Sequence, residues 1–302
     1  MLRERIAVHS DDVSMQRSSS YIVIMPLAVL SFESFSPASS PLGSAEGFTV
    51  FTFDHYQGNN TDCTGRVAVG GSAQFNNLGI GSGLSNSAGS RDDLIVGDDL
   101  VWNNGQNFNG NTQVGDETQF NSVGTPNGTV DSVVSIDFDA AEIELIALSD
   151  ELSDVPMNGT VTTQWGQIYL TGTDADSNVF QLDTTDFIAC YGFHVEAPAG
   201  STVLVNISGS TVMMNWFQPF LTGIAVDHLF FNFPDCVALQ MNGIGWKGSI
   251  LAPNATMQFN NGQIDGALIV SDLQGNGESH HMPFDGDLPV EGEEEFVVGS
   301  FD

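Results

Sequence analysis

The chain has 302 residues, 38 of them acidic and 6 basic, for a formal net charge of −32. That balance excludes nucleic acid and anionic membrane surfaces as favoured partners, because binding phosphate needs Lys and Arg. Gly (33) and Phe (21) are plentiful and only 15% of residues are charged, as a turn-rich all-β fold of one elongated domain would want.

Residues 21–32 form a short apolar run preceded by Arg17 and followed by small residues at Ser36-Pro37-Ala38 and Gly43-Ser44-Ala45. Basic, apolar and small in that order is the pattern of a secretory signal peptide. Twelve apolar residues are too few to span a bilayer, so no membrane insertion of the mature chain is expected. A leader over 1–45 leaves Arg66, Arg91 and Lys247 as the remaining basic residues. Sequons at Asn59, Asn127, Asn158, Asn206 and Asn254 permit N-glycosylation in a eukaryotic host.

A β-like run over 48–53 opens the domain expected at 46–290. Gly65–Gly71 reads as a strand closed by paired glycines, and Ala73-Gln74-Phe75-Asn76 follows. Val96-Gly97-Asp98-Asp99-Leu100-Val101-Trp102-Asn103 returns 18 residues later as Val114-Gly115-Asp116-Glu117-Thr118-Gln119-Phe120-Asn121. The unit at Val69 stands 27 residues before the one at Val96, and a Gly/Ser/Asn insertion over 79–90 accounts for the surplus. Near the other end, Gly248-Ser249-Ile250-Leu251-Ala252 returns at the same 18-residue interval as Gly266-Ala267-Leu268-Ile269-Val270. Short apolar runs with Gly/Asn corners at this period predict a β-solenoid with turns of about 18 residues, in which each turn buries the edge of the next.

Between the two repeat pairs the period changes. Phe138, Ala141, Leu145, Leu148 and Leu152 recur at helical spacing, Asp137 or Asp139 is placed to cap the helix, and Pro156 ends it. One amphipathic helix packed along the side of the solenoid is predicted. Strands are expected at 160–163, 167–171, 178–182, 202–208, 211–217, 229–233 and 237–241. An acidic, solvated tail occupies 291–302.

Several phrases together resemble the choice-of-anchor A domain, a family of secreted adhesins. They are Gly65–Gly71, Asp92–Leu100, Ala197–Gly209, Gly248–Ala255, Phe259–Ile264 and Gly275–His280, and their order, helix included, also matches. The resemblance implies a non-enzymatic surface or matrix protein with a β-solenoid fold and no catalytic residues to carry over. The family's anchor has no counterpart in these phrases, so secretion into a matrix or retention by a partner is expected instead. The Gly-x-Ile-Leu-Ala phrase is also similar to ice-binding β-solenoids. Ice binding wants a flat face of regularly spaced Thr or Ser, whereas the outward positions here alternate irregularly among Gln, Asn, Asp and Thr.

Candidate sites are few. Asp98-Asp99 and Asp116-Glu117 occupy equivalent positions of successive turns and should stack about 4.8 Å apart. Such like charges splay into water or are bridged by a cation, so Asp98, Asp99, Asp116 and Glu117 form a candidate calcium ladder. Asp174-Ala175-Asp176-Ser177-Asn178 begins like a calcium loop but carries Val179 where Gly is needed and reads as an acidic β-turn. His280-His281 beside Glu278 and Asp285 lacks any nucleophile motif and reads as packing. Trp102, Trp165, Trp216 and Trp246 are core residues or sugar-stacking platforms. Cys63, Cys190 and Cys236 permit one disulfide, Cys190–Cys236 being one guess, or three buried thiols. The expected partner is an extracellular glycan, matrix protein or surface ligand, with ice or glycan binding as the alternative function. A polysaccharide-cleaving enzyme would need paired carboxylates and a basic residue in a groove, which three basic residues make a poor fit.

Overall fold

A computed structural model describes residues 41–290. Residues 1–40 of the leader expected over 1–45, and the tail expected over 291–302, lie outside the described residues. The fold is the expected β-solenoid, coiled from parallel strands on three faces, with one antiparallel hairpin at Thr160–Gln164 and Gln167–Thr171 and one long helix beside it.

The order of the turns in space is not their order in the chain. Phe48–Thr52 pairs in parallel with Arg66–Val69 on one side and with Leu268–Gly275 on the other, so the first turn lies against the last. From this seam the N-terminal turns stack outward through Asp92–Val96, Asn111–Val114 and Val130–Asp131. The C-terminal turns begin at the opposite end with Ser177–Asp183 and return to the seam through Thr202–Ser208, Leu229–Asn232 and Ser249–Asn260. The sequence repeats are spatial repeats: Val96 pairs with Val114 and Leu251 with Ile269. The surplus near residue 80 is also a true insertion, since Val69 pairs with Val96 and Ala73 with Leu100. It starts later than position 79, because Leu78, Gly79 and Ile80 stay in register with Gly105–Asn107.

The helix, Phe138–Asp154, joins the two ends. Asp137 caps it by accepting from the Ala140 N–H at 3.1 Å. Ala141, Leu145, Leu148 and Leu152 pack on an outward column of the first face that includes Phe51, Ala68, Ile95, Leu204, Leu251 and Ile269. Strands of that face are therefore buried on both sides and read as unbroken apolar runs rather than alternating ones. Leu42 and Ala45, placed in the leader by sequence, are buried in the same cluster. Inside the coil, Val50, Val67, Leu94, Val205, Phe231 and Ile250 belong to the second and larger core.

Polar bonds fix the helix on its C-terminal half. Buried Asn232 donates to the Ser149 carbonyl (2.8 Å) and to Asn206 Oδ1 (2.9 Å) and accepts from Ser149 Oγ (2.5 Å). Asn206 in turn donates to the Leu152 carbonyl at 2.7 Å. All three cysteines are free thiols, each donating to a carbonyl two residues on. No Cys190–Cys236 disulfide forms; burial instead pushes the Cys63 thiol up to about 12.

Replacing Asn232 by Ala leaves the Ser149 hydroxyl and the Asn206 amide buried without this partner. We expect a loss of about 3 kcal/mol in urea unfolding; a loss within about 0.5 kcal/mol would show that helix docking does not use this network.

Candidate functional site

The second face is open to solvent. Its strands bury alternate residues, as in Ala238–Asn242, where Leu239 and Met241 point inward while Ala238, Gln240 and Asn242 line the surface. Strand register aligns the central outward residue of every turn into one column: Met213, Gln240, Gln258, Gln274, Gln57, Gln74, Val101, Gln119. Beside it runs a column of asparagines. Asn76 donates to Asn59 at 3.1 Å, Asn103 to Asn76 at 3.1 Å and Asn121 to Asn103 at 3.4 Å, while Asn215, Asn242 and Asn260 pair in register on the C-terminal side of the seam. The outward positions that look irregular along the chain are thus regular in space, because consecutive turns in space come from both ends of the sequence.

At the edge of this face each turn bends through a left-handed residue. Asn60, Asn77, Asn104 and Asn261 take φ of 53–55° and Ser122 takes 59°. Asparagine tolerates this region and so makes the corner at low cost. The result is a rigid sheet surface of amides spaced by the strand repeat of about 4.8 Å.

The remaining margin is acidic. Asp272 accepts from the His55 N–H and from Thr256 Oγ1, each at 3.3 Å. Asp98-Asp99 and Asp116-Glu117 do stack in successive turns: the Asp116 N–H donates to the Asp98 carbonyl (3.2 Å) and the Glu117 N–H to Asp99 Oδ1 (3.0 Å). Among the described residues, however, no group of three or more His, Cys, Asp or Glu side chains is gathered to hold a metal ion. Asp174 forms the expected acidic turn, and the Asp176 and Ser177 N–H groups that it accepts hold its carboxyl below the usual range.

The other candidate residues separate by burial. Trp102 and Trp246 are core residues, whereas Trp165 and Trp216 are exposed. His280 sits between Asp265 (2.8 Å) and Glu278 (3.4 Å) on the third face. Of the sequons, Asn158 and Asn254 are exposed and Asn59 and Asn127 half-buried, but Asn206 is 2% exposed and committed to the helix, which leaves no room for a glycan.

Two arginines are spent on structure. Arg91 makes a two-pronged pair with buried Asp93 at 2.6 and 3.2 Å and also binds the Ser85 carbonyl, which ties down the insertion. Arg66 lies over the Phe48 ring and donates to the Asp92 carbonyl. Nearby, His281 is within 3.1 Å of Thr49 Oγ1. Burial first, then the Arg91 and Arg66 charges, hold the His281 imidazole below its ordinary 6.5, with Asp93 opposing.

The profile of the family described as "Putative Ice-binding-like adhesive domain" matches residues 41–281. The chain belongs to the ice-binding-like adhesive domain family. The narrower choice-of-anchor A name is not the one that this match supplies. Among solved structures, the chain is similar to an ice-binding protein from the Antarctic ascomycete Antarctomyces psychrotrophicus at 12% identity and TM-score 0.44, over 80% of this chain and 97% of that one. An ice-binding protein from an Antarctic biological consortium is similar at 12% identity and TM-score 0.43, over 86% and 95% of the two chains. No curated protein matches in sequence. Among the described residues, no helix of this family member is long and apolar enough to cross a membrane.

The folded state binds the His281 proton less readily than the unfolded chain, so the unfolded state is favoured as pH falls below 6.5. Wild type should lose more thermal stability between pH 7 and pH 5 than His281→Asn does, the two pH values bracketing that ordinary 6.5. Equal losses would contradict this assignment.

Proposed function

We propose that the protein is a secreted, non-enzymatic surface-binding domain whose amide face adsorbs to ice. One observation carries the reading: the Gln column runs in register through both halves of the chain and across the seam. An extended crystalline surface is matched by a rigid, flat, periodic array, and neither a cleft nor a catalytic pair is needed. Amides at a fixed spacing donate to and accept from ordered water, so a water layer can be shared between protein and solid. The acidic margin keeps the molecules apart in solution while the centre of the face stays neutral. Family membership supports the same reading. The finer resemblance to choice-of-anchor A adhesins adds attachment to an extracellular surface as the setting in which such a face would serve.

The leader is proposed to end at the first of its two small-residue sites, near Ala38, because Leu42 and Ala45 pack in the folded domain. The acidic corners at Asp98, Asp99, Asp116 and Glu117 are proposed to be hydrated rather than calcium-filled. Titration with calcium should leave the melting temperature unchanged; a rise that Asp99→Asn abolishes would restore the calcium ladder.

Ice recrystallisation inhibition and thermal hysteresis test the main proposal. The purified domain should be active in both, and Gln274→Tyr, a bulky step in the middle of the column, should cut activity by about tenfold with the melting temperature held. Inactivity of the wild type, or full activity of the variant, would overturn the assignment of this face.

A further inference from the structure

The left-handed corner that Asn fills in four turns is occupied by tryptophan in another, and a second tryptophan takes the same backbone conformation in an antiparallel hairpin. Trp165 takes φ of 52° in the tight turn between Thr160–Gln164 and Gln167–Thr171, and Trp216 takes φ of 61° after Thr211–Asn215. A bulky side chain in this region is an outlier that the fold must hold at a steric cost. Burial does not compensate, since Trp165 is 79% and Trp216 71% exposed. Turns with Asn60, Asn77, Asn104 and Asn261 show that the corner closes without an aromatic. Folding therefore gives no reason for either tryptophan.

They are not alone. Tyr191, 60% exposed, lies at the same edge in the turn between them, and its ring rests where a side chain on Gly166 would stand. The Trp216 ring likewise rests against Gly243. Around the corner, Tyr169, His194 and Phe220 stack in register with centroids 4.6 and 5.1 Å apart. Phe220 ends that stack at a shallow hollow of about 350 Å³ that Trp216, Tyr191 and Gln218 also line, with Gly243 and Gly245. None of the residues lining it is charged, in a chain with 38 acidic residues.

We propose that this aromatic edge is a second binding site, for a neutral glycan chain, distinct from the amide face. Aromatic rings supply large rigid apolar area, and the C–H faces of pyranose rings lie against such surfaces while their hydroxyls bond to flanking amides. Gln218 and Gln167 stand beside the rings to supply those amides. Charge decides between occupants. The acidic surface repels a second copy of the chain and any polyanion, whereas a neutral polyhydroxylated chain carries no such penalty. Aromatics placed on successive turns, about 4.8 Å apart, offer a row of contacts to an extended polymer rather than a pocket for one small molecule.

Affinity electrophoresis of the full chain through gels containing soluble β-glucan, xylan, mannan or alginate tests the proposal. Retardation is expected with at least one neutral polymer and not with anionic alginate. Trp165→Asn and Trp216→Asn place the residue that the corner prefers. They should hold or raise the melting temperature, weaken retardation at least tenfold, and leave ice recrystallisation inhibition as in wild type. Four results would overturn the glycan site: no retardation by any neutral polymer, retardation by alginate alone, unchanged retardation in both variants, or a fall in melting temperature with binding intact. Because the ice assay reads the other face, failure here leaves the amide face standing, and failure of the amide face leaves this site standing.

Discussion

The parallel pairing of Val50, Phe51 and Thr52 with Leu268, Ile269 and Val270 joins the first turn of the chain to the last. Each turn of a solenoid exposes an apolar edge that only another turn can cover. The seam covers two such edges at once and merges two short stacks into one coil with one interior core. It also imposes a path on the chain, which must travel from the free end of the N-terminal stack to the free end of the C-terminal stack. The helix makes the larger part of that journey; its 17 residues span about 25 Å at 1.5 Å per residue, or roughly five turns at the strand spacing.

The three faces follow from how each is covered. The first is sealed by the helix, and the Asn206–Asn232–Ser149 bonds supply the partners that its buried polar groups require. The second has no cover and is flat, neutral along its centre and periodic. The third carries stacked aromatic rings at one end. The adsorption to an extended surface and the contact with a polymer proposed above make different demands, and the two candidate sites lie on separate faces without a cleft.

Much of this was legible in the chain. The 18-residue interval, the insertion before Asp92 and the capped helix after Asp137 all emerged from spacing, because stacking forces equivalent residues to recur. The seam did not, since nothing local marks residue 50 as the neighbour of residue 268. The Gln column was hidden for the same reason: x-Gln-x-Asn recurs at Gln74, Gln119, Gln240 and Gln258, yet its regularity appears only when turns from both ends are interleaved. The strands Gly192–Glu196 and Pro219–Thr222 were missed because they are short and carry aromatic rings, half-buried His194 and exposed Phe220, on their outward side. The exposure of Trp165 and Trp216 depends on backbone handedness, to which composition is blind.

Spin labels at Gln119 and Met213, in a Cys190→Ser background, test the seam directly. In a solenoid stacked in chain order these two positions would sit in neighbouring turns. With the first turn against the last, they stand at opposite ends of the column, seven register steps apart, or about 34 Å by the strand spacing. Pulsed dipolar spectroscopy should give a distance near that value, whereas a distance of about one or two strand spacings would contradict the interleaved architecture and, with it, the continuous amide face.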